Sequence, residues 1–231
     1  PFVIRAGFRP FRTTNLKLQL FRNVSHFAAT IGWYTAVTLL PLAEVFAIEF
    51  TTPVWVAVLA VLFLGGKMNV GRGGALVLGI AGILVILRPG FTDVGAGTWM
   101  MVATAFGFAI ANACTKGLTR TDSVLTVLLW MSMLQGLMAL VGASFEWSVP
   151  TVDEIPWLVV IGVTGLGAHY SLAKALTLAD VSLVNPVDFL RLPLIAVVGF
   201  LAYGEGVDVL VLVGAGLIFV GNYYSIRRES R

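Results

Sequence analysis

The chain alternates between long apolar stretches and short connections that hold most of its charged residues, together with prolines and glycines. A membrane hydrocarbon core of about 30 Å needs about 20 apolar residues per helix, and the apolar stretches recur at that length. Apolar runs this long exclude the alternating strands of about ten residues that build membrane barrels. The pattern therefore predicts an all-α integral membrane protein whose visible spanning helices number eight, at 20–40, 42–64, 71–88, 98–117, 123–143, 156–178, 181–203 and 207–226.

Composition excludes several other classes of protein. Of the 231 residues, 58% are hydrophobic and only 12% are charged, and the mean hydropathy is +0.92, which is far too apolar for a water-soluble domain. The net charge of +3 does not indicate nucleic-acid binding, because the basic residues gather in the connections. The single cysteine, Cys114, offers neither a disulfide framework nor a cysteine metal cluster. We predict a lipid bilayer as the surroundings and no cofactor.

Basic residues fall on one side of the predicted membrane. Positive residues favour the cytoplasmic side of membrane helices, and Arg88 is the only basic residue in the opposite connections. This bias predicts a multi-pass protein of the cell (inner) membrane whose C-terminus is cytoplasmic. The basic residues on the predicted cytoplasmic side are Arg5, Arg9, Arg12, Lys17, Arg22, Lys67, Arg72, Lys116, Arg120, Arg227, Arg228 and Arg231.

The two halves of the chain resemble each other at an offset of 139 residues. This offset lays residues 36–65 over 175–204, places Glu49 on Asp188 and then Gly82 on Gly221 without a gap. Five predicted spans lie within the offset, so the halves point in opposite directions across the membrane. We predict an inverted repeat in which 1–90 holds the last three helices of the first unit and 91–231 all five of the second. Two helices of a predicted ten-helix protein would then precede the chain, and residues 1–231 alone are expected to transport poorly.

At these residues the chain resembles a known family. The segment "ALTLADVSLVNPVDFLRLPLIAVVGFLAYGE" and its counterpart "AVTLLPLAEVFAIEFTTPVWVAVLAVLFLGG", followed by "GALVLGIAGILVILRPG", are similar to the two halves of EamA-type members of the drug/metabolite transporter superfamily. The resemblance implies a carrier of small metabolites with a central cavity between its repeats. The family usually places Glu after the glycine that ends this helix, as in Gly204 and Glu205, whereas the first half has Gly65 and Gly66.

Polar residues inside the predicted spans are the candidates for the cavity. Charges are costly in a membrane helix and normally face protein or a water-filled space. Asp188 and Arg191 lie three residues apart on one helical face and are expected to pair, while Asn185 extends the same stripe. Glu49 has no basic residue within one turn of its own helix and is therefore the candidate for proton coupling. The remaining candidates for substrate binding are His169, Tyr170 and Trp33.

Each of these candidates also has an alternative interpretation. Asp188 and Arg191 form a simple intrahelical pair if they only aid insertion or packing, and His26 and His169 are expected to be buried hydrogen-bonding residues rather than ligands. No metal site is predicted, and the chain lacks the paired nucleophile and base of an enzyme. The sequence therefore predicts a transporter, and the alternatives are a channel, a structural membrane protein or an inactive truncated carrier. Its expected partner is a small-molecule metabolite, with a homodimer as an open alternative.

Small residues recur at helical spacing in two predicted spans. Gly71, Ala75 and Gly79 lie four residues apart, as do Ala105, Ala109 and Ala113. Such spacing is typical of close packing between membrane helices. We expect these residues to have structural roles.

Overall fold

The computed structural model describes residues 11–63, 70–88, 95–145, 147–178, 191–206 and 208–229. Within these ranges the regular secondary structure is α-helical and no strand occurs, which confirms the predicted all-α fold. The helices of the described residues are α1 (Leu16–Leu39), α2 (Leu42–Glu49), α3 (Thr52–Phe63), α4 (Val70–Leu87), α5 (Ala96–Leu118), α6 (Val124–Ala143), α7 (Ile155–Leu178), α8 (Arg191–Tyr203) and α9 (Val209–Glu229).

Two helix starts follow directly from capping residues. The side chain of Asn15 accepts a hydrogen bond from the backbone N–H of Leu18 at 3.1 Å, which caps α1. The Ser123 hydroxyl accepts one from the N–H of Thr126 at 3.1 Å and caps α6. Such side-chain oxygens satisfy backbone donors that the first helical turn leaves unpaired.

The predicted span at 42–64 is wrong as a single helix, because the structure divides it into α2 and α3. Pro53 lies in the first turn of α3 and has no N–H to donate to the carbonyl of Glu49, four residues earlier. The Thr52 hydroxyl donates to that carbonyl instead, at 2.6 Å. The Asn222 amide on α9 donates to the carbonyl of Phe50 at 3.2 Å. Polar side chains thus satisfy the backbone where the helix is interrupted.

The short helix α2 lies at the centre of the molecule. Its residues Val45, Ala47 and Ile48 are fully buried. It packs against α1, α4, α5, α8 and α9. Met101 of α5 and Ile218 of α9, both 0% exposed, complete the same core. Because four consecutive residues of this helix, Val45 to Ile48, are buried among its neighbours, their packing sets the position of its last residue, Glu49.

Helices α4 and α9 pack tightly and antiparallel through small residues. A Cβ built on Gly82 of α4 would lie 2.5 Å from the carbonyl oxygen of Gly214 on α9. One built on Gly221 would lie 3.3 Å from Ala75, so later residues of α9 meet earlier residues of α4. Elsewhere α1 packs against α5 and α6, and Ala105 and Ala109 of α5 are fully buried. The predicted close-packing role is confirmed for Ala105 and Ala109, whereas Ala113 is only partly buried.

Helix bounds recur at the offset found in the sequence. Helices α1 and α7 each have 24 residues, and both their first and their last residues are 139 positions apart. The first residues of α4 and α9, Val70 and Val209, are also 139 positions apart. The two halves of the chain therefore place corresponding helices in the same register.

Contacts between connections group the two ends of the helical bundle. At one end Arg88 forms an ion pair with Asp208. At the same end Gly204, with a φ of +67°, ends α8, and the Glu205 carboxylate accepts a hydrogen bond from the N–H of Leu42 at 2.9 Å. A pocket of about 440 Å³ lies here, and its lining includes Glu44, Arg88 and Asp208. The beginning of α1 lies at the other end.

Helix surfaces are strongly apolar. Helices α5 and α6 are long and apolar enough to cross a membrane by length and composition. Residues 155–171 of α7 are all exposed, including Trp157 at 70% and Val163 at 67%. Exposed apolar side chains along whole helical turns are typical of surfaces that face lipid or another apolar helix.

Asp122 ties the chain before α1 to the turn between α5 and α6. It is 7% exposed and accepts hydrogen bonds from the Thr13 and Thr14 hydroxyls, the Thr14 N–H and the Gln19 amide. Burial raises the pKa of Asp122, but these hydrogen bonds outweigh it and hold the pKa below its usual value. The folded state therefore stabilises the charged carboxylate.

Replacing Asp122 with Asn is expected to lower the free energy of unfolding by about 1–3 kcal/mol, because donors lose a charged acceptor. In the wild type this contribution is present above about pH 3.9, the unfolded value, and is lost as the pH falls through the lower folded pKa. Thermal unfolding in detergent between pH 3 and pH 7 measures both effects. Asp153→Asn, in an exposed connection, is the control; equal melting temperatures for the two variants would contradict the role of Asp122.

Candidate functional site

The structure brings together three of the residues selected from the sequence. The Trp33 indole on α1 donates a hydrogen bond to Glu49 Oε2 at 2.7 Å. The Arg191 guanidinium on α8 donates to Glu49 Oε1 at 3.2 Å and forms an ion pair with it. Glu49 thus joins α1, α2 and α8, although these residues are far apart in the chain.

Two aromatic rings complete this arrangement. The Arg191 guanidinium carbon lies 5.2 Å from the ring centre of Phe46 and 5.5 Å from that of Phe50, within the range of cation–π attraction. The Trp33 and Phe46 rings meet edge to face with centres 5.8 Å apart. We call Trp33, Phe46, Glu49, Phe50 and Arg191 the Glu49 cluster.

The Glu49 cluster lies where the backbone is interrupted. Glu49 is the last residue of α2, and Phe50 precedes α3. The side chains of Glu49 and Arg191 are 20% and 43% exposed, so the ion pair is only partly buried. Interrupted helices at which charged side chains gather are typical binding sites in membrane carriers.

A second polar group lies on the same face of α1. Arg22 is 6% exposed, donates from Nη1 to Asn23 Oδ1 at 2.9 Å and from Nε to the Thr115 hydroxyl at 3.2 Å. The Gln135 amide on α6 donates to Asn23 Oδ1 at 3.2 Å and lies 3.1 Å from His26 Nδ1. We call Arg22, Asn23, His26, Thr115 and Gln135 the Arg22 network.

The histidine selected on α7 lies next to this network. The rings of His169 and His26 have their centres 6.1 Å apart, tilted by 58°. His26 also lies against the Phe108 ring, at 5.4 Å between centres. The two histidines, which are far apart in the sequence, therefore face each other across α1 and α7.

The other predicted site residues have different outcomes. Asn185 and Asp188 lie outside the described residues, so the predicted pairing of Asp188 with Arg191 stays a prediction. Tyr170 is 45% exposed on α7, and its predicted role also stays a prediction. Glu49 has no basic neighbour within its own helix, as the sequence indicated. It nevertheless has a basic partner, because Arg191 of α8 forms an ion pair with it.

Sequence reasoning missed the Arg22 network. Arg22 was assigned to the positively charged connection before the first span, whereas it lies inside α1 and is buried. The signal was present: His26 and Trp33 follow Arg22 by four and eleven residues, which keeps all three within about 40° on one helical face. The lone amide of Gln135 in an apolar span was a second signal.

The sequence of the chain matches that of known transporters along its length. The model of the EamA-like transporter family matches residues 1–88 and 95–227. The S-adenosylmethionine uptake transporter of Rickettsia bellii is 23% identical over 231 residues, covering 100% of this chain and 79% of that protein. The riboflavin transporter of Rhizobium johnstonii is 28% identical over 235 residues, covering 100% and 77%.

A solved structure also resembles this fold. A crystal structure of a protein that is 18% identical superposes with a TM-score of 0.66, covering 100% of this chain and 83% of that one. At this identity the likeness shows the fold alone. The helical architecture described above therefore has an experimental counterpart.

Proposed function

The chain belongs to the EamA-like transporter family, and we propose that it moves a small metabolite across the membrane by alternating access around the Glu49 cluster. Transport of small metabolites is the activity named for its relatives, the S-adenosylmethionine and riboflavin transporters. The observation that carries the proposed site is the Glu49–Arg191 ion pair at the interruption between α2 and α3. This pair connects the first half of the chain with the second.

The architecture we propose is an inverted repeat, with 1–90 in the first unit and 91–231 in the second. The common register of α1 with α7 and of α4 with α9 supports it. The antiparallel contacts of α4 and α9 also support it. Gly82 contacts Gly214, and Gly221 contacts Ala75. The offset of 139 residues relates Gly82 to Gly221 and Ala75 to Gly214, so the two contacts are equivalent in the proposed repeat. In such carriers one repeat moves against the other around a fixed site.

We further propose a location in the inner membrane with the C-terminus in the cytoplasm. The basic residues on one predicted side support this orientation. The grouping of contacts supports it as well: Arg88 pairs with Asp208 at one end, and Thr13 contacts Asp122 at the other. The first pair would then face outward and the second inward.

Asn185, Asp188 and Tyr170 remain proposed cavity residues together with His169. Their support is the sequence pattern, and for His169 also its position opposite His26. Glu49 remains the proposed proton-coupling residue. Its contact with Arg191 means that protonation of Glu49 would weaken an ion pair between α2 and α8, which offers a way to couple a proton to movement of the halves.

Uptake by reconstituted vesicles tests the transport function. The purified carrier, loaded into lipid vesicles, should accumulate at least one radiolabelled metabolite from a panel that includes S-adenosylmethionine and riboflavin. Saturation at increasing substrate concentration is expected, because a carrier binds one substrate per cycle. Uptake that rises linearly without saturation, with single-channel currents across a planar bilayer, would favour a channel instead.

A further inference from the structure

Arg22 carries a buried positive charge without a negative partner among the residues that the structure describes. Its described hydrogen bonds go to neutral oxygens, those of Asn23 and Thr115, and it is 6% exposed. A buried charge is costly unless an opposite charge compensates it. An arginine guanidinium also retains donors beyond the two used here, in a planar fork that suits carboxylate and phosphate.

Hydrogen bonds within the Arg22 network fix the orientations of the Asn23 and Gln135 amides and the position of the proton on the His26 ring. The Asn23 amide nitrogen donates to the carbonyl of Gln19 at 2.8 Å, so its oxygen faces Arg22 and the Gln135 amide. The Gln135 nitrogen must therefore donate both of its hydrogens, one to Asn23 and one to His26 Nδ1. His26 consequently accepts at Nδ1 and carries its proton on Nε2, which leaves Nε2–H as a donor outside this network.

Arg22 and His26 lie on the same face of α1 as Trp33 of the Glu49 cluster. Trp33 follows Arg22 by eleven residues on the same face of α1, about 16 Å along the helix axis. His26 lies between them and faces His169 of α7. Donors thus line one face of α1 from the Arg22 end to the ion pair, and the positive charge is at the end that we propose to face the cytoplasm.

We propose that Arg22, with the Nε2–H of His26 and with His169, forms a binding site for an anionic group of the transported metabolite, a carboxylate or a phosphate. Asn23 and Gln135 are positioning residues in this site. The inference rests on the proposed transport function, and it adds a substrate class: metabolites that carry at least one negative charge bind in preference to their uncharged analogues.

The first test uses inorganic phosphate and acetate as probes. The carrier is held in nanodiscs of phosphatidylcholine, and its affinity for each anion is obtained from thermal unfolding against chloride at constant ionic strength. Wild type should bind at least one probe, and Arg22→Gln should bind it at least tenfold more weakly. Lys17→Gln is the matched control, since it removes an exposed positive charge from the same helix, and it should bind as wild type does.

Several outcomes would overturn the site. Failure of wild type to bind either anion would do so, as would equal affinity in Arg22→Gln and wild type. If Arg22→Gln does not fold, Arg22→Lys replaces it, because lysine keeps the charge but loses the fork; affinity equal to wild type would then count against the site. A third outcome is that phosphatidylglycerol in the nanodisc stabilises wild type but not Arg22→Gln, while neither phosphate nor acetate does so. The site would then bind a lipid headgroup, and the metabolite assignment would be overturned.

The second test separates this inference from the transport function. Vesicle uptake is compared for matched pairs that differ by an anionic group, such as flavin mononucleotide with riboflavin, glutamate with glutamine, and nicotinate with nicotinamide. At least one anionic member should be preferred tenfold in wild type and lose that preference in Arg22→Gln. Transport without such a preference overturns the anion site but leaves the transport function standing. Anion binding through Arg22 without any transport overturns the transport function instead.

Discussion

Replacing Glu49 with Gln is expected to lower transport at least tenfold and to abolish acceleration of uptake by an imposed pH gradient. The carboxylate receives hydrogen bonds from Trp33 and Arg191, and glutamine has the same size but no charge. The variant leaves the Arg191 guanidinium beside Phe46 and Phe50 without the carboxylate of its ion pair. A tenfold loss corresponds to about 1.4 kcal/mol, a modest value for breaking a partly buried ion pair.

A double substitution separates loss of the proton site from loss of charge balance. Glu49→Gln combined with Arg191→Gln removes both charges of this ion pair. If Glu49 carries the proton, the double variant should regain thermal stability but show no response to the pH gradient. If the pair only balances charge, the double variant should regain both transport and the gradient response.

Uptake into vesicles with and without a pH gradient is the measurement for this set of variants. Glu154→Gln, which removes an exposed carboxylate in the connection before α7, is the control and should behave as wild type does. The proton role is refuted if Glu49→Gln keeps the wild-type gradient response, and in that case exchange or facilitated diffusion is the better account of the cycle.

The helical fold was predictable because hydrophobic length is a local property. The spans at 71–88 and 123–143 agree with α4 and α6 within a residue at each end. The interruption at Phe50 and Thr51 was not predicted, since the apolar run continues through it. Its cause lies in one local feature: Pro53 cannot donate to the carbonyl of Glu49, and Thr52 replaces the missing donor.

The candidate site was predictable in its members but not in its contacts. Trp33, Glu49 and Arg191 stood out as polar residues in apolar spans, yet nothing in the sequence indicated that Arg191 contacts Glu49, which is 142 residues away in the chain. Such a contact depends on the packing of α2 against α8, and hydrophobic periodicity carries no information about it.

The burial of Arg22 also could not be predicted from the sequence. A basic residue near the start of a span is normally assigned to the membrane surface, and Arg22 was assigned in this way. Its burial depends on α5 and α6, which supply Thr115 and Gln135. The spacing of Arg22, His26 and Trp33 on one face of α1 contained the information, but only the packed structure shows that this face is the inner one.

The largest effect on folding is expected from adding one methyl group where α4 and α9 cross. A Cβ on Gly82 would lie 2.5 Å from the Gly214 carbonyl oxygen and 2.6 Å from Ile218 Cγ1, while one on Gly214 would lie 2.6 Å from the Gly82 carbonyl oxygen and 2.6 Å from Ile86 Cγ1. Backbone atoms cannot move aside as a flexible side chain does. Gly82→Ala and Gly214→Ala should therefore each lower the free energy of unfolding by about 3 kcal/mol, at the upper end of the usual overpacking cost.

The same two helices contain matched controls for these substitutions. A Cβ on Gly73 of α4 or Gly216 of α9 would meet no atom within 4 Å, and alanine is favoured over glycine within a helix by up to about 1 kcal/mol. Gly73→Ala and Gly216→Ala should therefore leave stability unchanged or raise it, as measured by denaturation of the purified protein followed by tryptophan fluorescence. Because one separation of α4 from α9 relieves both clashes, Gly82→Ala with Gly214→Ala should cost less than the sum of the single variants. Equal stability of the Gly82 and Gly73 variants would show that the two helices do not pack as closely as described, and the repeat interface that we infer from their crossing would lose its support.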